Sequence, residues 1–161
     1  MKFFTPIVAV LCLIATGCVQ RVMPPTEFAC AANRAWQNTG LLLHPGDRLT
    51  VQYENGQWTA DIRDGLTPPA GNPNTPGRPG DVLPSAPRSS LIGRVGQSVF
   101  LIGNGFDGII PEDGRLYCVI NTTITDSDGR PFLPTDGTVT MRAWITRANP
   151  VCNPKIGEIC L

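Results

Sequence analysis

Histidine occurs once in this chain, at His44, and lysine is far outnumbered by arginine. The formal net charge is zero and the arginines are scattered along the chain, which argues for a solvated surface and against a nucleic-acid partner. No Cys-x-x-Cys pair is present, and a single His leaves a zinc-type cluster short of ligands. No Gly-rich phosphate loop opens a helix; Gly103-Asn104-Gly105 has no helical pattern after it. A long helical period is missing, as is any internal repeat. No apolar run reaches the roughly 20 residues that cross a bilayer. Catalytic groupings are missing too. His44 stands in a turn beside Pro45 with no nucleophile motif near it. Asp61 and Asp64, close to Trp58, give no sign of flanking a bond as glycosidase carboxylates must. An enzyme is therefore not expected.

What is present is a β pattern cut by turn residues. The chain carries 17 Gly and 16 Pro in 161 residues, about one domain by length. In Leu91–Gly96, Leu91, Gly93 and Val95 alternate with Ile92 and Arg94, which is strand spacing. Gly93 and Gly96 predict a bulge or a close backbone approach. Ser98–Ile102 reads as a short strand buried on both faces. Gly114–Asn121 sets Leu116, Cys118 and Ile120 on one face and Tyr117 and Val119 on the other. Trp36–Leu43 and Arg48–Tyr53 read as strands joined by the turn His44-Pro45-Gly46-Asp47. Asn55-Gly56 predicts a hairpin, with Gln57–Ile62 returning and Trp58, Ala60 and Ile62 inward. Thr138–Thr146 is the last strand, with Val139, Met141, Ala143 and Ile145 inward and Trp144 on its polar face. Phe28–Arg34 suggests a helical turn, and Asp107–Gly114 a turn-rich connection. Asp64–Arg88 and Thr122–Asp136 are long loops, the first crowded with Pro and Gly and expected on the surface. Many short strands of this kind predict an all-β antiparallel sandwich.

The start of the chain is a targeting segment: Lys2, then the apolar stretch Phe3–Ile14. Ile14-Ala15-Thr16-Gly17-Cys18 resembles a bacterial lipobox, with Ala15 where Leu is usual. That resemblance implies cleavage before Cys18 and acyl chains such as palmitate on its sulfur, anchoring the protein to a membrane. Val19, rather than Asp, points to the outer membrane of a bacterial envelope. The alternative is an ordinary secretory signal with Cys18 a plain thiol. Val19–Thr26, with Pro24-Pro25, reads as a tether. Once Cys12 and Cys18 are set aside, Cys30, Cys118, Cys152 and Cys160 remain, an even set as in exported proteins. Four cysteines allow three pairings. The short loop between Cys152 and Cys160 favours that pair and leaves Cys30 with Cys118; the alternative for Cys118 is a buried thiol.

Trp36, Thr39-Gly40, Pro45-Gly46-Asp47-Arg48-Leu49-Thr50-Val51 and Gly56-Gln57-Trp58 resemble the front half of the LecA-like (PA-I, galactophilic) bacterial lectins. Leu91-Ile92-Gly93-Arg94-Val95-Gly96, Gly114-Arg115-Leu116-Tyr117, Asn121 and Asp136-Gly137-Thr138-Val139-Thr140 resemble the back half. The resemblance implies one galactose-binding-like, jelly-roll β-sandwich over residues 36–146. It follows a signal peptide (1–17) and a tether and arm (18–35), and precedes a Cys-containing tail (147–161). The resemblance also implies a sugar site built on calcium, a hard cation with oxygen ligands. Asn121 and Thr122 fall on the first ligand pair, Thr122 replacing an acid. Thr135 and Asp136 fall on the second ligand turn, where two Asn side chains are lost. These four, with Trp144 as an exposed ring for stacking, are the expected ligand-binding residues. Asp126-Ser127-Asp128-Gly129 opens like a calcium loop, so Asp126, Asp128 and Asp136 are the metal candidates; the alternative is a polar turn. The implied partner is a glycan. The alternative is a structural or assembly lipoprotein that docks other envelope proteins and binds no sugar.

Overall fold

The computed structural model describes residues 21–123 and 135–147. Cys18, Asp126, Asp128, Cys152 and Cys160 lie outside the described residues. In chain order the strands are β1 (Arg21–Val22), β2 (Thr26–Ala31), β3 (Gln37–Leu43), β4 (Arg48–Thr59), β5 (Leu91–Val95), β6 (Ser98–Leu101), β7 (Gly105–Ile109), β8 (Gly114–Ile120) and β9 (Asp136–Arg147). They form two antiparallel sheets. Sheet A runs β1-β9-β4-β7, with β2 on the same edge of β9 as β1; sheet B runs β3-β8-β5-β6. The chain is thus the all-β sandwich its alternation predicts.

Period-2 patterning explains which residues fill the space between the sheets. Leu49 and Val51 of β4, Leu116, Cys118 and Ile120 of β8, and Val139, Met141, Ala143 and Ile145 of β9 all lie in one apolar core. Trp58 and Ala60 join them. The two open edges are closed differently. On one, a Cys30–Cys118 disulfide joins β2 to β8, and so sheet to sheet. Beside it the Gln37 carboxamide mimics a strand partner. Its Oε1 accepts from the Ala31 N–H at 2.9 Å and its Nε2 donates to the Ala31 carbonyl at 2.8 Å. On the other edge, Phe100 of β6 packs on Phe106 of β7 with ring centroids 4.6 Å apart. Gly93 makes the close approach expected of it: a Cβ there would lie 2.8 Å from Ile102 Cδ1.

Several local expectations are overturned. Of the expected helical turn Phe28–Arg34, Phe28–Ala31 belong to strand β2 instead, because the Thr138–Ala143 stretch of β9 offers a full ladder of partners. Part of the supposed tether, Arg21–Val22, also pairs with β9, and Pro24-Pro25, lacking N–H donors, interrupts the ladder between β1 and β2. Asn55-Gly56 does not reverse the chain. β4 continues past it to Thr59, paired throughout with β9. The register shifts between Tyr53 and Asn55. That one-residue bulge moves the inward set from odd to even positions, so Leu49, Val51 and Tyr53 share a face with Trp58. Ile62 is not inward but 60% exposed, in a 3-10 turn at Ile62–Asp64. Ser98–Leu101 is not doubly buried: it is the edge strand of sheet B, with Val99 and Leu101 facing solvent. β5 is the strand buried on both sides. Asp107–Ile109, the start of the expected turn-rich stretch Asp107–Gly114, belongs to β7, which is held along β4 from Arg48 to Gln52.

The Pro-rich stretch 64–88 is an irregular but closely bonded cover. It makes single bridges at Trp58–Thr67, Ala70–Ser90 and Asp81–Thr123. Its Val82, Leu83 and Ala86 pack with Trp36 on Ile92 and Val119, the outward residues of sheet B. It builds no core of its own, as its composition requires, but it completes a second apolar layer.

Candidate functional site

The end of the sandwich where β8 leaves and β9 enters carries four of the five expected ligand-binding residues. Asn121 follows β8 and is fully buried. Its Oδ1 accepts from the Leu83 N–H at 2.9 Å. Its Nδ2 lies 3.0 Å from the carbonyls of Leu83, Ala86 and Pro87, to which it donates. The amide is therefore saturated by the cover loop. Thr122 is also fully buried, and its hydroxyl accepts from Arg88 at 2.9 Å. Asp136 opens β9 opposite Thr59, and Thr135 stands just before it. Asp136 is exposed, and its Oδ1 accepts from the Gly137 N–H at 2.7 Å.

Ser89 links the two halves of this end. Its N–H donates to the Asn121 carbonyl, its carbonyl accepts from Trp58 Nε1 at 2.7 Å, and its hydroxyl accepts from the Ala60 N–H. These bonds hold it at φ 62°, a conformation rare for a residue other than glycine. Trp58 is thus a core residue whose one polar atom is satisfied, as its inward position predicts. Trp144 is not brought to this end. It lies eight residues along β9 from Asp136, roughly 25 Å of strand. There it is half-buried on the outer face of sheet A, opposite Thr50.

Nothing in the sequence singles out Asp81 and Arg88, which prove central. Both are buried, and Arg88 Nε lies 3.6 Å from Asp81 Oδ2. Asp81 also accepts from the Arg78 N–H at 2.8 Å and from the Thr123 hydroxyl at 2.9 Å. Arg88 Nε itself has no hydrogen-bond partner among the described residues. The only prior signal was two charges in a stretch without apolar period, which ordinarily means a solvated loop.

Calcium does not fit the described part of this end. Asn121 has no free oxygen lone pair directed at solvent, and Thr122 already faces a guanidinium. A second cation beside Arg88 would meet like-charge repulsion in a poorly solvated place. Among the described residues no group of three or more His, Cys, Asp or Glu side chains converges on a point.

The opposite end is held by charge. The His44–Asp47 turn closes with an Asp47 N–H to His44 carbonyl bond at 3.0 Å. Asp47 is buried and receives a bidentate Arg147 at 2.9 and 2.7 Å, plus the His44 N–H at 3.0 Å. Burial works to raise the Asp47 pKa, but Arg147 and the His44 N–H overcome it and the carboxyl is held below its usual range. His44 pairs with Asp113 at the surface. Back at the first end, just beyond β4, Asp61 does not face Asp64 as an acid/base pair; it binds Arg63, whose guanidinium and backbone N–H hold it at about 2. A cleft of about 340 Å³ lies beside His44 and Arg147 between β3 and β9, lined also by Met23, Leu41, Leu42 and Ile145.

No protein-family model matches the chain, and no curated protein matches it. Solved structures do match. One is the N-terminal domain of EclA, described as a PllA-like lectin. It aligns over 77% of this chain and 97% of its own length at 20% identity, with a TM-score of 0.52. The chain therefore has a lectin-like β-sandwich fold.

Proposed function

We propose that this chain is a carbohydrate-binding module of the bacterial envelope, related to the LecA-like lectins, held to the outer membrane by acyl chains on Cys18 and working without calcium. The observation that carries this reading is the lectin-like sandwich, which spans nearly the whole of a neighbour that is itself called a lectin. The motif resemblance from Trp36 to Ile145 and the lipobox-like Ile14–Cys18 support the anchoring and the family. A binding task rather than catalysis suits a chain whose one histidine and whose paired carboxylates are all engaged in surface or loop contacts. The disulfide between Cys30 and Cys118 suits an oxidising compartment outside the cytosol.

Calcium independence follows from Asn121 and Thr122, which are buried and already bonded to the cover loop and to Arg88 and so offer no oxygen to an ion. The test is a glycan array on the protein freed from its lipid, run with added calcium and again with chelator. Binding that is equal under both conditions is expected. In parallel, radiolabelled palmitate should enter the wild-type chain and not Cys18→Ser. Binding to no glycan would transfer the chain to the other role, a lipoprotein that docks envelope proteins. A melting point that rises with calcium would sink the calcium-free part alone.

A further inference from the structure

We propose that the part of sheet B's outer face left uncovered around Arg94 and Arg115 is a receptor for an anionic saccharide, with the Arg94 guanidinium as the group that pairs with its carboxylate. This names the ligand class and the site for the carbohydrate-binding role above, and rests on it.

The charge layout of the two sheets differs in kind. The strands of sheet A carry four arginines and four carboxylates. On sheet A's outer face Arg48 pairs with Asp107, and Arg142 with Glu27 and Glu54. The strands of sheet B contain no Asp, Glu or Lys; their only charges are Arg94 and Arg115. Among the described residues neither arginine has a carboxylate within ion-pair distance, whereas Arg48, Arg63, Arg88, Arg142 and Arg147 all do.

Arg94 is nevertheless held in place. Its guanidinium lies 4.4 Å from the Trp36 ring centre and 5.3 Å from that of Tyr117, its cross-strand partner. Rings fix a guanidinium's plane by cation–π attraction and leave its N–H edge free. That edge is the fork that binds a carboxylate bidentately. Because the rings already restrict the side chain, less rotamer entropy is lost when the anion arrives. Arg115 stands on the same face, two residues from Tyr117 along β8, and is exposed. Diagonal neighbours on adjacent strands lie about 7–8 Å apart, a separation one acidic sugar unit can span. Trp36 is anchored from beneath by the cover loop's cluster, so the platform is rigid at one end and open at the other. A saccharide is favoured over an acidic peptide because the platform is small and sits on a lectin-like sandwich.

The test uses the mature full-length protein in detergent, with a galacturonate oligosaccharide as probe and a neutral galactose oligosaccharide beside it. Binding is measured by calorimetry. The uronate should bind, weakening with salt. Arg94→Gln should lower its affinity about tenfold or more, and Arg94→Lys should lie between, since lysine keeps the charge and loses the fork. Arg142→Gln, on sheet A, should leave affinity unchanged. Melting curves for each variant separate a lost contact from a lost fold; Arg94 is only partly buried, so both variants should fold. Uronate binding that survives Arg94→Gln overturns the site. Binding of the neutral sugar alone overturns this inference and leaves the carbohydrate role standing. Binding of polyglutamate with no sugar bound overturns both.

Discussion

At the residue scale, Asn121 shows how a side chain that invites a ligand can be taken up by the fold itself. Asn121 is legible as special, because an Asn ending a strand in a lectin-like pattern invites a ligand. Its actual partners are main-chain atoms of Leu83, Ala86 and Pro87, supplied from a segment with no periodic signal. Asn121→Ala should destabilise the fold by about 3 kcal/mol, since it leaves a buried N–H and several carbonyls unsatisfied. Asn121→Asp should do no better: it removes the donors and buries a charge. Urea midpoints of the two variants check this; a midpoint unchanged by Asn121→Ala would show that the cover loop is held by other means. Asp47 is the complementary case, a turn residue by sequence and an ion-pair anchor in the fold. Its pKa is lower folded than its ordinary 3.8. A depressed carboxylate contributes stability that is present above the ordinary value and lost as pH falls through the folded one. Asp61, at about 2, behaves in the same direction. Stability should therefore hold to about pH 4 and decline below it. Asp47→Asn should reduce stability at pH 7 by about 1–3 kcal/mol, by weakening charge-assisted hydrogen bonds, and flatten that acid limb. Denaturation midpoints from pH 7 to 2.5 measure both effects.

At the scale of elements, alternation located most strands, and the errors share a cause. Leu116, Cys118 and Ile120, or Val139 through Ile145, declare their inward face within a few residues. β7 and β2 do not, because what makes them strands is an edge of β4 or β9 far away in the chain. Asn55-Gly56 misled for a different reason. Its local chemistry suits a turn, yet β9 is as long as β4 and pairs with all of it, so the positive-φ glycine serves the continued strand past the bulge. Gly56 has φ 96°, and a Cβ there would run into the Thr138 carbonyl oxygen of the paired strand. Gly56→Ala should cost more than about 2 kcal/mol, the strain of the backbone conformation plus a clash that a paired strand cannot relieve. Gly40→Ala is the control. Its φ is 86° with nothing within 4 Å, so only the conformational cost of about 1 kcal/mol remains. Equal losses at the two positions would mean that β4 and β9 part at the bulge.

At the scale of the whole molecule, two sheets that share a core must also be kept in register with each other, and the described covalent link does this at one edge. Cys30 and Cys118 are 88 positions apart, and their Cα atoms are 6.3 Å apart across the sandwich. Sequence allowed three pairings and favoured this one only by way of the short Cys152–Cys160 loop, because nothing local tells a cysteine on β8 which distant strand it will face; the Cys30–Cys118 bond is the one expected. A bridge closing a loop of this length removes unfolded-state freedom worth about 4–5 kcal/mol on the chain-entropy account. That is a large part of the roughly 5–15 kcal/mol by which a domain is stable. The Cys30→Ala/Cys118→Ala protein should therefore melt far lower than wild type. Reductant should move wild type towards the variant while leaving the variant itself unmoved. The same coupling ties the fold to where the chain is made. Produced from residue 18 onward in a reducing cytosol, the chain should carry free thiols at 30 and 118 by alkylation and mass, and share the variant's low melting point. Exported to an oxidising space, it should show neither. If reduction left the midpoint where it was, the Gln37 clasp and the core would be enough to hold sheet to sheet.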